Sequence, residues 1–331
     1  IAVALPPANT AQRSQTHQWL LAWKPARVLD AMSGLLFMRG GMGSNGLPSP
    51  VIVPALAALY ALDLTLEQHG PRQPVSLPLS RPAHASPIED IVLLIDESIR
   101  GDYLDINHPD GIRSGLKHPP NTASIVNFGL AAHATNCSVG SNLILRFGGQ
   151  RDSYRSDIRI KPSIWSYAQQ AGFTTIYIDA QSEYQFFNGM TDAEIAQIDQ
   201  IIQFQDVIPR DRDLQSAQIL ASLLGDGKRQ FILVNKLGGH FPVHDKFPDD
   251  YLIYQPVLSR GELDPSQPIM QTIFGHDKVD WERYKNSYRN TLLWSVGHYF
   301  EVLLKQADLS RAFVLYTSDH GQNFHERGQS G

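Results

Sequence analysis

Four continuous apolar runs of strand length dominate the later part of this chain: Ile91-Val92-Leu93-Leu94-Ile95, Thr174-Thr175-Ile176-Tyr177-Ile178, Phe231-Ile232-Leu233-Val234 and Ala312-Phe313-Val314-Leu315-Tyr316. A strand with one wet face alternates polar and apolar residues, and these runs do not. They read as strands covered on both faces, the usual state of a parallel sheet. Helix-like segments lie between them: residues 164–171 ended by Gly172, 213–224 ended by Gly225, and a long one over about 281–306. Strands alternating with helices predict an α/β fold with a mostly parallel central sheet flanked by helices. Ligands of such sheets sit outside the carboxyl ends of the strands, so the chemistry is sought there.

Composition narrows the function classes. Of 331 residues, 42% are hydrophobic and 18% charged, enough apolar material for a sizeable core and too little charge for disorder. Lys plus Arg is 28 against 33 Asp plus Glu, a net charge of -5 with no basic stripe, which argues against a nucleic-acid binder. The single cysteine, Cys137, excludes an intrachain disulfide and a Cys-rich zinc module, while 12 His keep metal chemistry open.

Residues 1–88 differ in character, being rich in Pro, Gly, Ala and Ser. Residues 20–36 and 53–66 each predict an amphipathic helix, with a glycine-rich loop at 40–46 between them. Residues 71–87 predict a proline-containing linker that ends in a domain boundary. The chain thus divides into an N-terminal helical and linker segment, 1–88, and an α/β domain, 89–331. The N-terminal segment lies either on a membrane surface or against that domain. The most apolar window, 51–66, is 16 residues long and carries Pro54 and Asp63. A membrane span needs about 20 residues, so this window reads as a buried or membrane-surface helix. No signal peptide is visible; a chain that starts at Ile1 reads as a fragment whose anchor would precede that residue.

Residues able to do chemistry stand at the expected strand ends. The first strand runs into Asp96-Glu97-Ser98-Ile99-Arg100, and two acids there suit either a ligand site or the first turn of a helix. The last strand ends in Thr317-Ser318-Asp319-His320-Gly321. Its carboxylate and imidazole suit Zn²⁺, or else a turn closed by an Asp side chain. After the third run comes Gly238-Gly239-His240-Phe241-Pro242-Val243-His244, where two glycines let His240 come close to a partner; His244 is the alternative. Ser138 and Ser141 lie in a small polar stretch before the apolar residues 143–145, which predicts a helix start. A hydroxyl there is an ordinary cap, or a nucleophile in the field of a helix N-terminus that favours an anion.

This order of motifs resembles the alkaline phosphatase/sulfatase superfamily, and within it the membrane-anchored phosphoethanolamine transferases that modify lipopolysaccharide. The resemblance spans residues 87–331 and rests on residues 91–103, 136–142, 238–242, 288–292 (Tyr-x-Asn-Thr-x) and 318–321. It implies an alkaline phosphatase-like sandwich preceded by a small helical segment. It implies Glu97, Asp319 and His320 as metal ligands, and Ser138 as both nucleophile and metal ligand, with Ser141 as the alternative. His240 is similar to the family's His that touches the substrate phosphate or a second metal, and is taken as catalytic. Arg100, Ser141, Asp179, His244 and Gln322 are candidate substrate contacts.

The chain departs from the family pattern. Asp96 replaces the usual Gly, so it becomes a candidate ligand itself; Gln322 replaces a Glu; and no disulfide can form. The family's further His after the Asp-His-Gly segment has no clear counterpart, because His325 is too close to Asp319; a domain truncated at its C-terminus is expected. The formylglycine pattern of sulfatases proper, Cys/Ser-x-Pro-Ser/Ala-Arg, is missing at both Cys137 and Ser138, which favours direct attack by a hydroxyl.

The resemblance implies a metal-dependent phosphoethanolamine transferase with a covalent phospho-Ser intermediate. It would move the group from a phospholipid donor to an envelope glycolipid or glycan acceptor. The cofactor implied is Zn²⁺, one ion or two, with Mn²⁺, Mg²⁺ and Ca²⁺ left open. The place implied is the bacterial inner membrane, with the catalytic domain facing the periplasm and no nucleic-acid partner. The alternatives are a metal-dependent phosphate or sulfate ester hydrolase of the same superfamily and an inactive binding domain on the same fold.

Overall fold

A computed structural model describes residues 72–76 and 88–324, apart from 121–122, 134, 136, 151, 183–186 and 261–277. The helices expected over 20–36 and 53–66, the loop 40–46 and residues 71 and 77–87 of the expected linker lie outside the described residues.

Five parallel strands form the central sheet: β1 (Asp90–Asp96), β2 (Thr174–Asp179), β3 (Gln200–Gln203), β4 (Gln230–Asn235) and β5 (Ala312–Ser318). Their order is β3-β2-β4-β1-β5. The helices are α1 (Ser138–Phe147), α2 (Tyr154–Ile160), α3 (Ile164–Gln170), α4 (Asp192–Ile195), α5 (Pro209–Leu223), α6 (Lys278–Leu292) and α7 (Tyr299–Gln306), with a π-helical turn, Leu293–His298, joining the last two. This is the α/β architecture expected from the sequence, a parallel sheet flanked by helices. Among the described residues, no helix is long and apolar enough to cross a membrane.

Alternate residues of the continuous apolar strands feed two cores. Val92, Leu94, Ile232 and Val234 pack on one face with Leu220 of α5, Tyr288 of α6 and Leu303 of α7. Leu93, Ile95, Phe231 and Leu233 pack on the other with Trp165 of α3. Every residue of β4 is buried, which is why its sequence lacks alternation.

Four expectations need correction. Strand β5, whose apolar run predicted cover on both faces, leaves Phe313 and Leu315 exposed on one face. A fifth strand, β3, was not anticipated; it is short, only partly buried, and flanked by glutamines. Helix α5 begins at Pro209 rather than 213, because proline's fixed φ suits a first helical position. The long helix over 281–306 is interrupted by the π turn, and Lys236 accounts for the interruption. Its buried ammonium donates to the Ser295 carbonyl (2.6 Å) and to Asp96 (2.5 Å), so the widened turn supplies an acceptor for a charge in the core.

Candidate metal centre and nucleophile

The sheet order explains how residues far apart in sequence meet. Strand β5 pairs directly with β1, with Asp96 beside Ser318 in the register. The Asp319 amide donates to the Asp96 carbonyl (2.9 Å), and the Ser98 amide donates to Asp319 Oδ1 (2.9 Å) across 221 positions. Glu97 and the Asp319-His320 pair therefore leave adjacent strands at the same, carboxyl end of the sheet. Ser98 carries the turn at φ 59, uncommon for a non-glycine, and its hydroxyl donates to Glu97 Oε1 (2.6 Å). Tyr288 of α6 braces that turn: its hydroxyl donates to the Ser98 carbonyl (2.8 Å) and accepts from the Arg100 amide (2.9 Å).

Glu97, Asp319 and His320 offer ligand atoms that all lie within 4.8 Å of one another. His320 Nδ1 lies 2.9 Å from the Gly321 carbonyl. A carbonyl only accepts, so Nδ1 carries the hydrogen and Nε2 faces the carboxylates, 3.3 Å from Glu97 Oε1 and 3.7 Å from Asp319 Oδ2. Asp319 Oδ2 is buried and has no hydrogen-bond partner among the described residues. A buried carboxylate oxygen left without a donor is costly, and a cation at this point would satisfy it. Two carboxylates and an imidazole form a donor set that zinc accepts. The residues thus fit a divalent metal.

The electrostatics of the cluster agree. Burial, then the neighbouring Glu97, raises Asp319 to about 7. Burial opposes a proton on His320, but the Glu97 and Asp319 carboxylates outweigh it and raise the imidazole to about 9. Burial also works against ionised Glu97, yet the His320 imidazolium and the Ser98 hydroxyl (2.6 Å) hold it well below the usual carboxylate range. The metal-free cluster takes up protons in the place where a cation would supply charge.

Ser138 is the first residue of α1, and its hydroxyl donates to Glu97 Oε1 (3.1 Å) and lies 3.2 Å from His320 Nε2. A cleft of about 460 Å³ opens beside it, lined by Ser138, Val139, Gln181, Ser182, Asn188, Leu237 and His240. The model of the family described as Sulfatase matches residues 89–331. The chain belongs to the Sulfatase family.

Solved structures similar to this Sulfatase-family chain share its fold. One is the C-terminal periplasmic domain of EcEptC from Escherichia coli in complex with Zn, 18% identical over 77% of this chain and 69% of that one, with TM-score 0.58. Another is the soluble domain of lipooligosaccharide phosphoethanolamine transferase A from Neisseria meningitidis, 15% identical over 78% of this chain and 74% of that one, with TM-score 0.57. The integral membrane form of the Neisseria meningitidis transferase is 16% identical over 85% of this chain and 50% of that one, with TM-score 0.61. No curated protein matches the chain.

The other sequence-selected residues of this Sulfatase-family chain lie at varying distances from the cleft. Asp96, weighed as a ligand, is instead turned into the core, where it accepts from Lys236 and from the Tyr316 hydroxyl (2.9 Å). Ser141 donates to the Thr135 carbonyl (3.1 Å) rather than facing the metal-ligand cluster, which distinguishes it from Ser138. Asp179 accepts from the Gln181 and Ser182 amides (3.1 and 3.2 Å) and from Asn235 (3.0 Å); it shapes the cleft wall from behind. His244 is buried with its ring packed against Phe241, outside the cleft lining. Arg100 pairs with Asp102 (2.5 Å), and Gln322 donates to the Gly239 carbonyl (3.3 Å). His325 lies outside the described residues.

Several site residues were not anticipated. Gln181 donates through Nε2 to Glu97 Oε2, while its own oxygen accepts from Asn188 (3.0 Å) and Asn235 (3.1 Å). This chain of amides orients the second oxygen of Glu97. Asp213 accepts from the Leu237 and Gly238 amides (2.7 and 2.9 Å) and fixes the turn before His240. Gly238 is required there: a Cβ would lie 2.2 Å from Asp96 Oδ1 and 2.6 Å from the Glu97 carbonyl. Lys246, buried nearby, donates to the His240 carbonyl (2.5 Å). Position at the end of a strand flags Gln181; nothing local flags Asp213 or Lys246.

Proposed function

We propose that this chain is the catalytic part of a metal-dependent phosphoethanolamine transferase, with Glu97, Asp319 and His320 holding Zn²⁺ and Ser138 as the nucleophile. The observation that carries the reading is the Ser138 hydroxyl at a helix N-terminus, within 3.2 Å of both Glu97 and His320. Zinc in that position supplies positive charge that favours the ionised hydroxyl and the added negative charge of the transition state. Ser138 Oγ attacks the donor phosphorus, forming the Ser–O–P bond as the bond to the diacylglycerol oxygen breaks. The proton lost from Ser138 passes through His240 Nε2 to that leaving oxygen. In the second half, an acceptor hydroxyl attacks the phosphorus, its proton passes through His240, and Ser138 Oγ takes it back. The N-terminus of α1 directs its free amides toward the anion in both halves. The acceptor is an envelope glycolipid or glycan, and the reaction takes place on the periplasmic side of a bacterial inner membrane. The named relatives support this placement.

The test uses phosphatidylethanolamine with and without an acceptor glycolipid. Diacylglycerol release that depends on Ser138, together with a phosphoethanolamine mass adduct on Ser138, is the expected outcome. Ser138→Ala should lower turnover by about 10³-fold or more and remove the adduct. Retention of the adduct in Ser138→Ala, and its loss in Ser141→Ala, would move the nucleophile. Release of free phosphoethanolamine at the same rate with and without acceptor would make the protein a hydrolase.

A further inference from the structure

Lys246 is a buried cation that the reaction as described does not use. The residue is 7% exposed, and among the described residues the one hydrogen bond of its ammonium runs from Nζ to the His240 carbonyl (2.5 Å), with no carboxylate within ion-pair distance. Lys236, a fully buried ammonium, instead has Asp96 at 2.5 Å and the Tyr299 ring at 4.2 Å. Burying an ammonium without a counter-ion is costly, and one neutral carbonyl is a poor substitute.

The segment that Lys246 holds is otherwise fixed up to the Gly239–His240 peptide, whose His240 amide donates to the Leu237 carbonyl (3.3 Å). Asp213 takes the Leu237 and Gly238 amides, the Gly239 amide donates to the Glu97 carbonyl (2.8 Å), and Gln322 caps the Gly239 carbonyl. The next peptide is the one Lys246 grips. Lys246 is itself rooted, because the Thr291 hydroxyl of α6 donates to the Val243 carbonyl (2.5 Å), which also accepts the Lys246 amide (3.4 Å). The His240 ring then follows from its own chemistry. Nδ1 lies 2.5 Å from the Phe241 carbonyl and must be the donor there. With Nδ1 protonated, the neutral ring carries its lone pair on Nε2, and His240 lines the cleft with Ser138.

We propose that Lys246 is a positioning residue for His240: gripping the His240 carbonyl, its ammonium fixes the ring in the cleft wall and disfavours a second positive charge on it. His240 then stands in the cleft as a neutral base, ready to take the proton of Ser138 or of an acceptor hydroxyl. The proton-transfer role rests on the transferase reading above; the effect of Lys246 on the ring does not. The groups acting on His240 are Lys246 and His320, which oppose its protonation, and Glu97 and the Phe241 carbonyl, which favour it. The balance, led by partial desolvation in the cleft, lies below the ordinary imidazole value. On Lys246 the balance is between burial and the facing charges of Asp213, Glu97, Asp96 and Arg212. It leaves the ammonium at about 8, still charged at neutral pH.

The experiment is NMR titration of labelled histidines in the metal-loaded protein, with the His240 signal assigned through His240→Gln. Lys246→Met should raise the His240 pKa by about half to one unit, whereas Lys246→Arg, which keeps the charge, should hold it near the parent value. If Lys246→Met fails to fold, Lys246→Gln removes the charge while keeping a donor, and the same rise is expected. A His240 pKa unchanged within about 0.2 units in a folded, uncharged variant overturns the proposal. The titration needs no substrate, so its outcome stands apart from the transferase reading. With phosphatidylethanolamine as donor, Lys246→Met should lower kcat by about 10- to 100-fold while KM changes less than about twofold. A loss confined to KM would refer Lys246 to donor binding and also overturn the proposal.

Discussion

Asp179 is fully buried at the end of β2, and burial raises its carboxyl above the ordinary 3.8 despite donors from Asn235, Ser182, Gln203 and Gln181. A carboxyl whose folded pKa exceeds its unfolded value favours the folded state most when protonated. Its contribution is therefore full below about pH 4 and is lost as pH rises through the higher folded value. Asp179→Asn keeps the Oδ1 acceptor for the Gln181 and Ser182 amides and has no charge to desolvate; Gln203 can turn its amide to match. Chemical denaturation of both proteins across pH 4–8 should show wild type losing stability relative to Asp179→Asn as pH rises. A constant difference would mean that the buried carboxylate is fully compensated. At this scale the sequence was informative where chemistry coincides with a strand end. Glu97, Asp319, His320 and Ser138 are all polar groups directly after apolar runs or at a helix start, and the structure brings all four together. Gln181 and Ser98 hold Glu97 through contacts that depend on side-chain direction, which no local pattern encodes.

Elements were legible to the extent that burial set their composition. Strands β1, β2 and β4 are almost wholly buried, and their apolar runs announced them. Strand β3 pairs only with β2, so half-burial suffices and Gln200-Ile201-Ile202-Gln203 carries no such signature. The break in the last long helix was hidden for a different reason: its cause is on another strand. Lys236 follows β4, yet its charge takes the Ser295 carbonyl that a regular helix would use internally. Breaking this unit from one side should be severe. Lys236→Met leaves Asp96 buried without its cation, at a cost of about 3–5 kcal/mol. Adding Asp96→Asn removes the stranded charge and should recover more than half of that loss, a non-additivity that urea denaturation of the two singles and the double would reveal. Additive losses would show that Asp96 and Lys236 do not act as a pair.

The carboxyl ends of β1 and β5 bring together groups that repel each other. Glu97 from β1 and Asp319 from β5 place carboxylates in one buried cluster with a single imidazole, and the two ends are held by backbone contacts from the Asp319 and Ser98 amides. A dication binding there removes the repulsion and satisfies Asp319 Oδ2. Because the three ligands come from two strand ends joined only in the folded sheet, the unfolded chain offers no comparable site, so binding energy appears as stability. At free zinc about 100 times its dissociation constant the gain is about 2.7 kcal/mol. For a domain of this size that corresponds to a rise in Tm of roughly 5–10 °C, reversed by a chelator and restored by added metal. Asp319→Asn separates the two effects. In the metal-free protein it removes a buried carboxyl that would otherwise take up a proton, so its apo Tm should equal or exceed that of wild type. With a ligand lost, the zinc-induced rise should largely vanish. A zinc-dependent Tm rise of wild-type size in Asp319→Asn would place the metal elsewhere. No zinc-dependent rise in wild type, with zinc absent by elemental analysis, would leave the convergence of strands β1 and β5 as a feature of the sheet alone.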